Sequence, residues 1–168
     1  MKQRASPHFD DRPPGEKVTL VVIHNISLPP GEYGGPWIDD LFMGRLDPKE
    51  HPYFESIAGM RVSSHYLIRR DGSLVQYVPC EKRAWHAGAS SWKGRERCND
   101  FSIGIELEGS DDVPFAEPQY ATLNELLASL RARYGAFEIA GHSDVAPGRK
   151  TDPGPWFQWD RVRPLRKA

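Results

Sequence analysis

The sequence predicts a mixed α/β fold, a single domain over residues 1–168 in which helices flank a central mixed β-sheet. Three observations predict it. Short apolar runs of strand character recur along the chain, one long segment of helical period separates two of them, and no repeat or linker divides the 168 residues. That length suits one hydrophobic core, since domains typically run to roughly 100–150 residues. The 15 glycines and 15 prolines exceed the roughly 12% of average chains without collagen-like period, so much of the backbone must be shaped loop.

Residues 18–23, VTLVVI, form an unbroken β-branched run that reads as a strand buried on both faces, with His24 at its exit. From Pro29 to Arg61 glycine, proline and aromatics surround one short amphipathic piece, Trp37 to Met43, a composition suited to the wall of a pocket. HYLIRR (65–70) and SLVQYV (73–78) flank Asp71-Gly72, the dipeptide of a type I′ hairpin turn in which both central residues need φ > 0. FSIGIELE (101–108) alternates strictly. Ile103, Ile105 and Leu107 fall on a core face, and Ser102, Gly104, Glu106 and Glu108 on a polar one.

Tyr120, Leu123, Leu126, Leu127, Leu130 and Tyr134 recur at helical spacing over 118–134, with Pro118 suited to the first turn and Gly135 to the C′ position. FEIA (137–140) is a further short strand that delivers the chain to Gly141-His142.

The charge balance, 22 Lys+Arg against 23 Asp+Glu, gives no bulk attraction to nucleic acid or to an anionic membrane. No stretch approaches the ~18 apolar residues of a membrane span, and MKQRASPHFDDRPPGE lacks the apolar centre of a signal peptide, so a cytoplasmic protein is expected. A monomer is expected by default, with no sequence feature behind it. Cys80 and Cys98, without CxxC spacing, read as ordinary reduced thiols.

His24 and His142 each follow a buried strand, where open α/β sheets place ligands, and Asp152 follows His142 across a Pro/Gly-shaped loop. Two imidazoles and a carboxylate make a catalytic zinc set with an open fourth position. The same set describes non-haem Fe(II) sites, so spacing leaves the metal open. Lys150, two residues before Asp152, can approach that site and stabilise an oxyanion. Glu106 or Glu108 could serve as acid/base, and Gly104 beside them leaves room for substrate or water. His65 and His86 read as structural or substrate-wall residues, and His8 and His51 as loop residues. The five tryptophans anchor core or loops, though some could form a sugar-stacking wall.

VVIHNISLPPGEYGGPWID, HPYF, RVSSHYLIRRDGSLVQYVP, KRAWHAG, GRERCNDFSIGIELEG and GHSDVAPGRKTDPGP, in that order, resemble the zinc-dependent N-acetylmuramoyl-L-alanine amidases, and within them the cytoplasmic anhydro-muropeptide amidases. The resemblance runs from about Ser6 to Trp159. It implies Zn2+ held by His24, His142 and Asp152, catalytic roles for Glu106 and Lys150, and a substrate site lined by Asn25, Arg61 and Arg97. It also implies a muropeptide as the small-molecule substrate. A broader amidase acting on intact murein, and a peptidoglycan-binding module without catalysis, are the alternatives.

Overall fold

In the computed structural model the described residues, 1–165, form ten strands and three α-helices; the last three residues of the expected domain lie outside them. In chain order these are β1 (Lys2–Gln3), β2 (Phe9–Asp11), β3 (Leu20–Ile26), α1 (Trp37–Phe42), β4 (Tyr66–Ile68), β5 (Leu74–Gln76), β6 (Lys82–Ala84), β7 (Ser91–Trp92), β8 (Arg95–Glu96), β9 (Ser102–Glu108), α2 (Glu117–Tyr134), β10 (Glu138–Gly141) and α3 (His142–Val145). A six-stranded sheet in the order β1-β5-β4-β9-β3-β10 organises the chain, with β4, β9, β3 and β10 parallel and β5 antiparallel to β4. This is the mixed α/β architecture the sequence predicts.

The alternation in β9 and the continuous run in β3 explain the layers. Val21, Ile23, Ile103, Ile105 and Leu107 pack against Leu123, Leu126, Leu127 and Leu130 of α2, so the helix covers one face of the sheet. On the other face Leu20, Val22 and Ala140 meet Ala87, Cys98 and Phe101, while Leu67 and Val75 meet Ile38, Phe42 and Phe54. Both faces of β3 are therefore covered, as its unbroken apolar run requires. Helix α2 starts with Pro118 in its first turn and stops at Gly135, whose φ of +77° a side chain would resist. Leu127 is fully buried in this layer, and Leu127→Ala would cost about 2–5 kcal/mol.

Two local expectations are corrected. His24 lies within β3 rather than at its exit. All seven residues of β3 pair with β9, and this ladder carries the polar His24 and Asn25 past the end of the apolar run. The hairpin turn is not type I′. Arg69 N–H donates to Ser73 O at 2.9 Å, Gly72 N–H donates to Arg69 O at 2.9 Å, and Gly72 takes φ +84° while Asp71 is not among the positive-φ residues. That is a three-residue loop ending in a left-handed glycine. Asp71 instead uses its carboxylate to accept the Ser73 N–H at 2.9 Å. Gly72 also packs so closely under α2 that a Cβ there would stand 2.8 Å from Pro118 O.

Candidate metal centre and active-site cleft

Strand register brings the chemistry together. His24 and Glu106 are register partners on β3 and β9, so both side chains leave the same face of the sheet. On the other side of β3, Gly141 of β10 pairs with Ile23, and the next residue, His142, opens α3 beside His24. The loop after α3 then doubles back. Ser143 N–H donates to Asp152 O at 2.9 Å, and Gly141 lets the turn close, since a Cβ there would meet Pro153 Cδ at 2.8 Å. The Pro/Gly-rich segment is irregular because it must return the Asp152 carboxylate to the start of the helix that carries His142.

The three groups converge. His24 Nδ1 lies 3.0 Å from His142 Nδ1 and 3.2 Å from Asp152 Oδ2, and His142 Nδ1 lies 3.2 Å from the same carboxylate. His142 Nε2 stands 3.0 Å from the Ala87 carbonyl, which can only accept, so that nitrogen carries a proton and Nδ1 is the ring nitrogen turned toward His24 and Asp152. Burial holds the His24 imidazole below its ordinary pKa, against the opposing pull of the Asp152 carboxylate, and so favours the neutral ring. Burial alone would raise Asp152, but its close contacts with the His142 and His24 rings outweigh it and hold the carboxyl below its usual range. Two imidazoles and a carboxylate thus bring three ligand atoms into one space, within 4.8 Å of one another. This donor chemistry fits a divalent ion such as zinc.

Glu106 stands beside this group with Oε1 3.8 Å from His24 Nδ1, and its buried Oε2 has no hydrogen-bond partner. Burial, and then the charge of Asp152, push its pKa well above the ordinary value, against the pull of Lys150. Glu108, the other carboxylate of the strand, is fully engaged. It accepts from Arg69 and from Gly34 N–H at 2.9 Å each, and from Arg70 N–H at 3.1 Å, so it braces loops. The geometry therefore separates two carboxylates that alternation alone left equivalent.

The cluster opens onto a cleft of about 710 Å³. Lys150, Asn25 and Asp111 line its polar side, and Tyr53, Met60 and Trp85 its aromatic and apolar side. Asn25 donates to Asp111 Oδ1 at 2.7 Å and to Pro153 O at 3.1 Å, tying β3 to the Asp152 loop. Arg61 and Arg97 are exposed and do not line the cleft; Arg61 lies over the Trp85 ring at 5.8 Å, and Arg97 pairs with Asp100 at 3.4 Å.

Gly104 does not leave space for substrate. The His86 ring fills that space, so closely that a Cβ at 104 would come 2.5 Å from His86 Cγ. His86 in turn contacts His24, its Nδ1 2.9 Å from His24 Nε2, a placement that sequence reasoning missed. The bare Gly104 on a polar strand face was the one available signal. His65 is structural as expected, and the thiols of Cys80 and Cys98 are both free and buried.

The profile of the N-acetylmuramoyl-L-alanine amidase family matches residues 14–155. The 1,6-anhydro-N-acetylmuramyl-L-alanine amidase AmpD of Citrobacter freundii is 61% identical over 162 residues, covering 95% of this chain and 87% of that protein. The crystal structure of a selenomethionine AmpD derivative matches with a TM-score of 0.95 at 59% identity, covering 99% of this chain and 94% of the other. The Escherichia coli amidase AmiD, in complex with its substrate anhydro-N-acetylmuramic acid-L-Ala-D-γ-Glu-L-Lys, matches with a TM-score of 0.66 at 30% identity over 94% of this chain and 62% of that one.

Proposed function

The chain belongs to the N-acetylmuramoyl-L-alanine amidase family, and from that premise and the geometry of the cleft we propose that it hydrolyses the amide between 1,6-anhydro-N-acetylmuramic acid and L-alanine in muropeptides. The setting is cytoplasmic peptidoglycan recycling, and the protein acts as a monomer. Among the described residues no helix is long and apolar enough to cross a membrane. The substrate class follows the anhydro-muropeptide amidases that this chain resembles along 95% of its length.

His24, His142 and Asp152 would hold zinc, which would supply Lewis-acid polarisation of the amide carbonyl and acidification of water. Glu106 takes a proton from the attacking water at its unpartnered Oε2. As the water oxygen adds to the lactyl carbonyl carbon and the C–N bond breaks, Glu106 returns that proton to the leaving nitrogen of L-alanine. Burial raises its pKa above the ordinary value, which favours its holding the proton between the two halves of the transfer. Lys150, on the cleft wall, faces the carbonyl oxygen as it gains negative charge. Tyr53, Met60 and Trp85 offer an apolar wall for the sugar. Asn25 orients the substrate from the cleft, and Arg61 and Arg97 meet stem-peptide carboxylates from outside its rim, where a guanidinium fork suits them.

The single observation that carries this reading is the meeting of His24, His142 and Asp152 within 4.8 Å beside a buried, unpaired Glu106 oxygen. The test is mass spectrometry of anhydro-muropeptide incubated with zinc-replete protein, with chelator-treated and iron-loaded protein and intact murein as comparisons. Release of free peptide from the anhydro substrate, lost with chelator and restored by zinc, supports it. Equal release from intact murein points to the broader amidase. No release with zinc bound leaves a binding module, and activity restored by iron alone removes zinc.

A further inference from the structure

We infer that His86 is a positioning residue for the metal-binding ring of His24, held in one tautomer by Ser102. The inference rests on the reading that His24, His142 and Asp152 hold zinc. An imidazole that ligates through Nδ1 must carry its proton on Nε2, and that N–H needs an acceptor once buried. His24 Nε2 lies 2.9 Å from His86 Nδ1, which is that acceptor. A neutral His86 that accepts at Nδ1 carries its own proton on Nε2, and there Ser102 Oγ lies 3.1 Å away to receive it.

The ring is built into place. Gly104, without a side chain, gives it room. Asn99 Oδ1 accepts from the backbone N–H of His86 at 3.2 Å and of Ala87 at 2.9 Å, fixing the segment. The same segment offers the Ala87 carbonyl to His142 Nε2 at 3.0 Å. Two consecutive residues thus orient both ligating imidazoles, His86 through its side chain and Ala87 through its backbone.

The test measures zinc affinity by chelator competition for metal-free wild type, His86→Ala, His86→Asn, His86→Gln and Ser102→Ala, with circular dichroism to establish that each is folded. His86→Ala should lose about 10–100-fold in zinc affinity. His86→Asn, whose side-chain oxygen falls where Nδ1 stood, should recover most of it, and His86→Gln, whose acceptor falls at the Nε2 position, should not. Ser102→Ala should lose less than His86→Ala. Affinity of folded His86→Ala indistinguishable from wild type, or equal affinities of the Asn and Gln variants, would overturn the inference. Nitrogen-15 spectra of wild type decide the point even if the His86 variants do not fold: His86 must carry its proton on Nε2, and the Nδ1–H tautomer sinks the proposal. A wild type that binds no zinc, or a His24→Ala variant that binds it as tightly, overturns the metal reading itself and this inference with it.

Discussion

His24 and Glu106 stand in register on neighbouring parallel strands, with His24 Nδ1 3.8 Å from Glu106 Oε1. The candidate ligand His24 and the carboxylate of Glu106 are therefore held beside each other by the backbone pairing of the sheet. The separation leaves both side chains on one buried face, where desolvation raises Glu106 and keeps His24 neutral.

Glu106→Gln keeps the volume and removes the proton carrier. We expect kcat to fall by about 10²–10⁴-fold, with zinc stoichiometry unchanged. Peptide release measured beside metal analysis of the same sample checks both halves; full activity would remove Glu106 from the mechanism.

Lys150→Ala should lower kcat by about 10²–10³-fold with little change in KM, because its interaction strengthens only as the carbonyl oxygen becomes negative. A KM effect with kcat intact would instead mark Lys150 as a substrate contact. Steady-state kinetics on an anhydro-muropeptide distinguishes the two.

Gly104→Ala places a methyl group 2.5 Å from His86 Cγ, against a ring held by hydrogen bonds on both nitrogens. The overpacking should cost about 1–3 kcal/mol and displace His86. Thermal denaturation of the metal-free protein and chelator competition should both register the change. Unaltered stability would show that the His86 ring has room to move.

Burial, and then the nearby Arg12 charge against the Lys82 carbonyl, pushes the His65 pKa down to about 3. The geometry agrees, because Nε2 lies 2.9 Å from Lys82 O while Nδ1 accepts the Gly104 N–H at 3.0 Å, leaving no place for a second proton. Between that value and the ordinary 6.5 the unfolded chain binds a proton that the folded chain refuses. His65 therefore contributes stability that is complete above pH ~6.5 and lost as pH falls toward ~3, by a few kcal/mol in order of magnitude. Urea titrations across that window, in a Glu106→Gln background that removes a buried carboxyl of opposite slope, should show stability rising with pH. A His65 ring whose proton resonances titrate near pH 6.5 would contradict this.

Much of the site was legible because its residues sit where periodicity changes. His24 closes an apolar β-branched run, His142 follows a short one, and a loop too rich in proline and glycine for regular structure leads to Asp152. The choice between Glu106 and Glu108 was not legible from alternation, since both share a face. It is decided by Arg69 and the Gly34 amide, which come from distant segments and occupy Glu108 alone. The hairpin was legible as a hairpin, but its turn type depended on the Asp71 carboxylate taking the Ser73 N–H and on Gly72 packing under Pro118.

By itself the sequence determined the layers of the sheet, the helix that covers one face, and the choice of His24, His142 and Asp152 as candidate donors, because hydrophobic period and chain punctuation act locally. Only the tertiary structure decided what surrounds those donors. His86 reaches His24 across 62 positions of sequence and Ala87 O reaches His142 across 55. Such contacts exist only once strand order and register have set which faces meet, and no local pattern encodes the partner of an imidazole's second nitrogen.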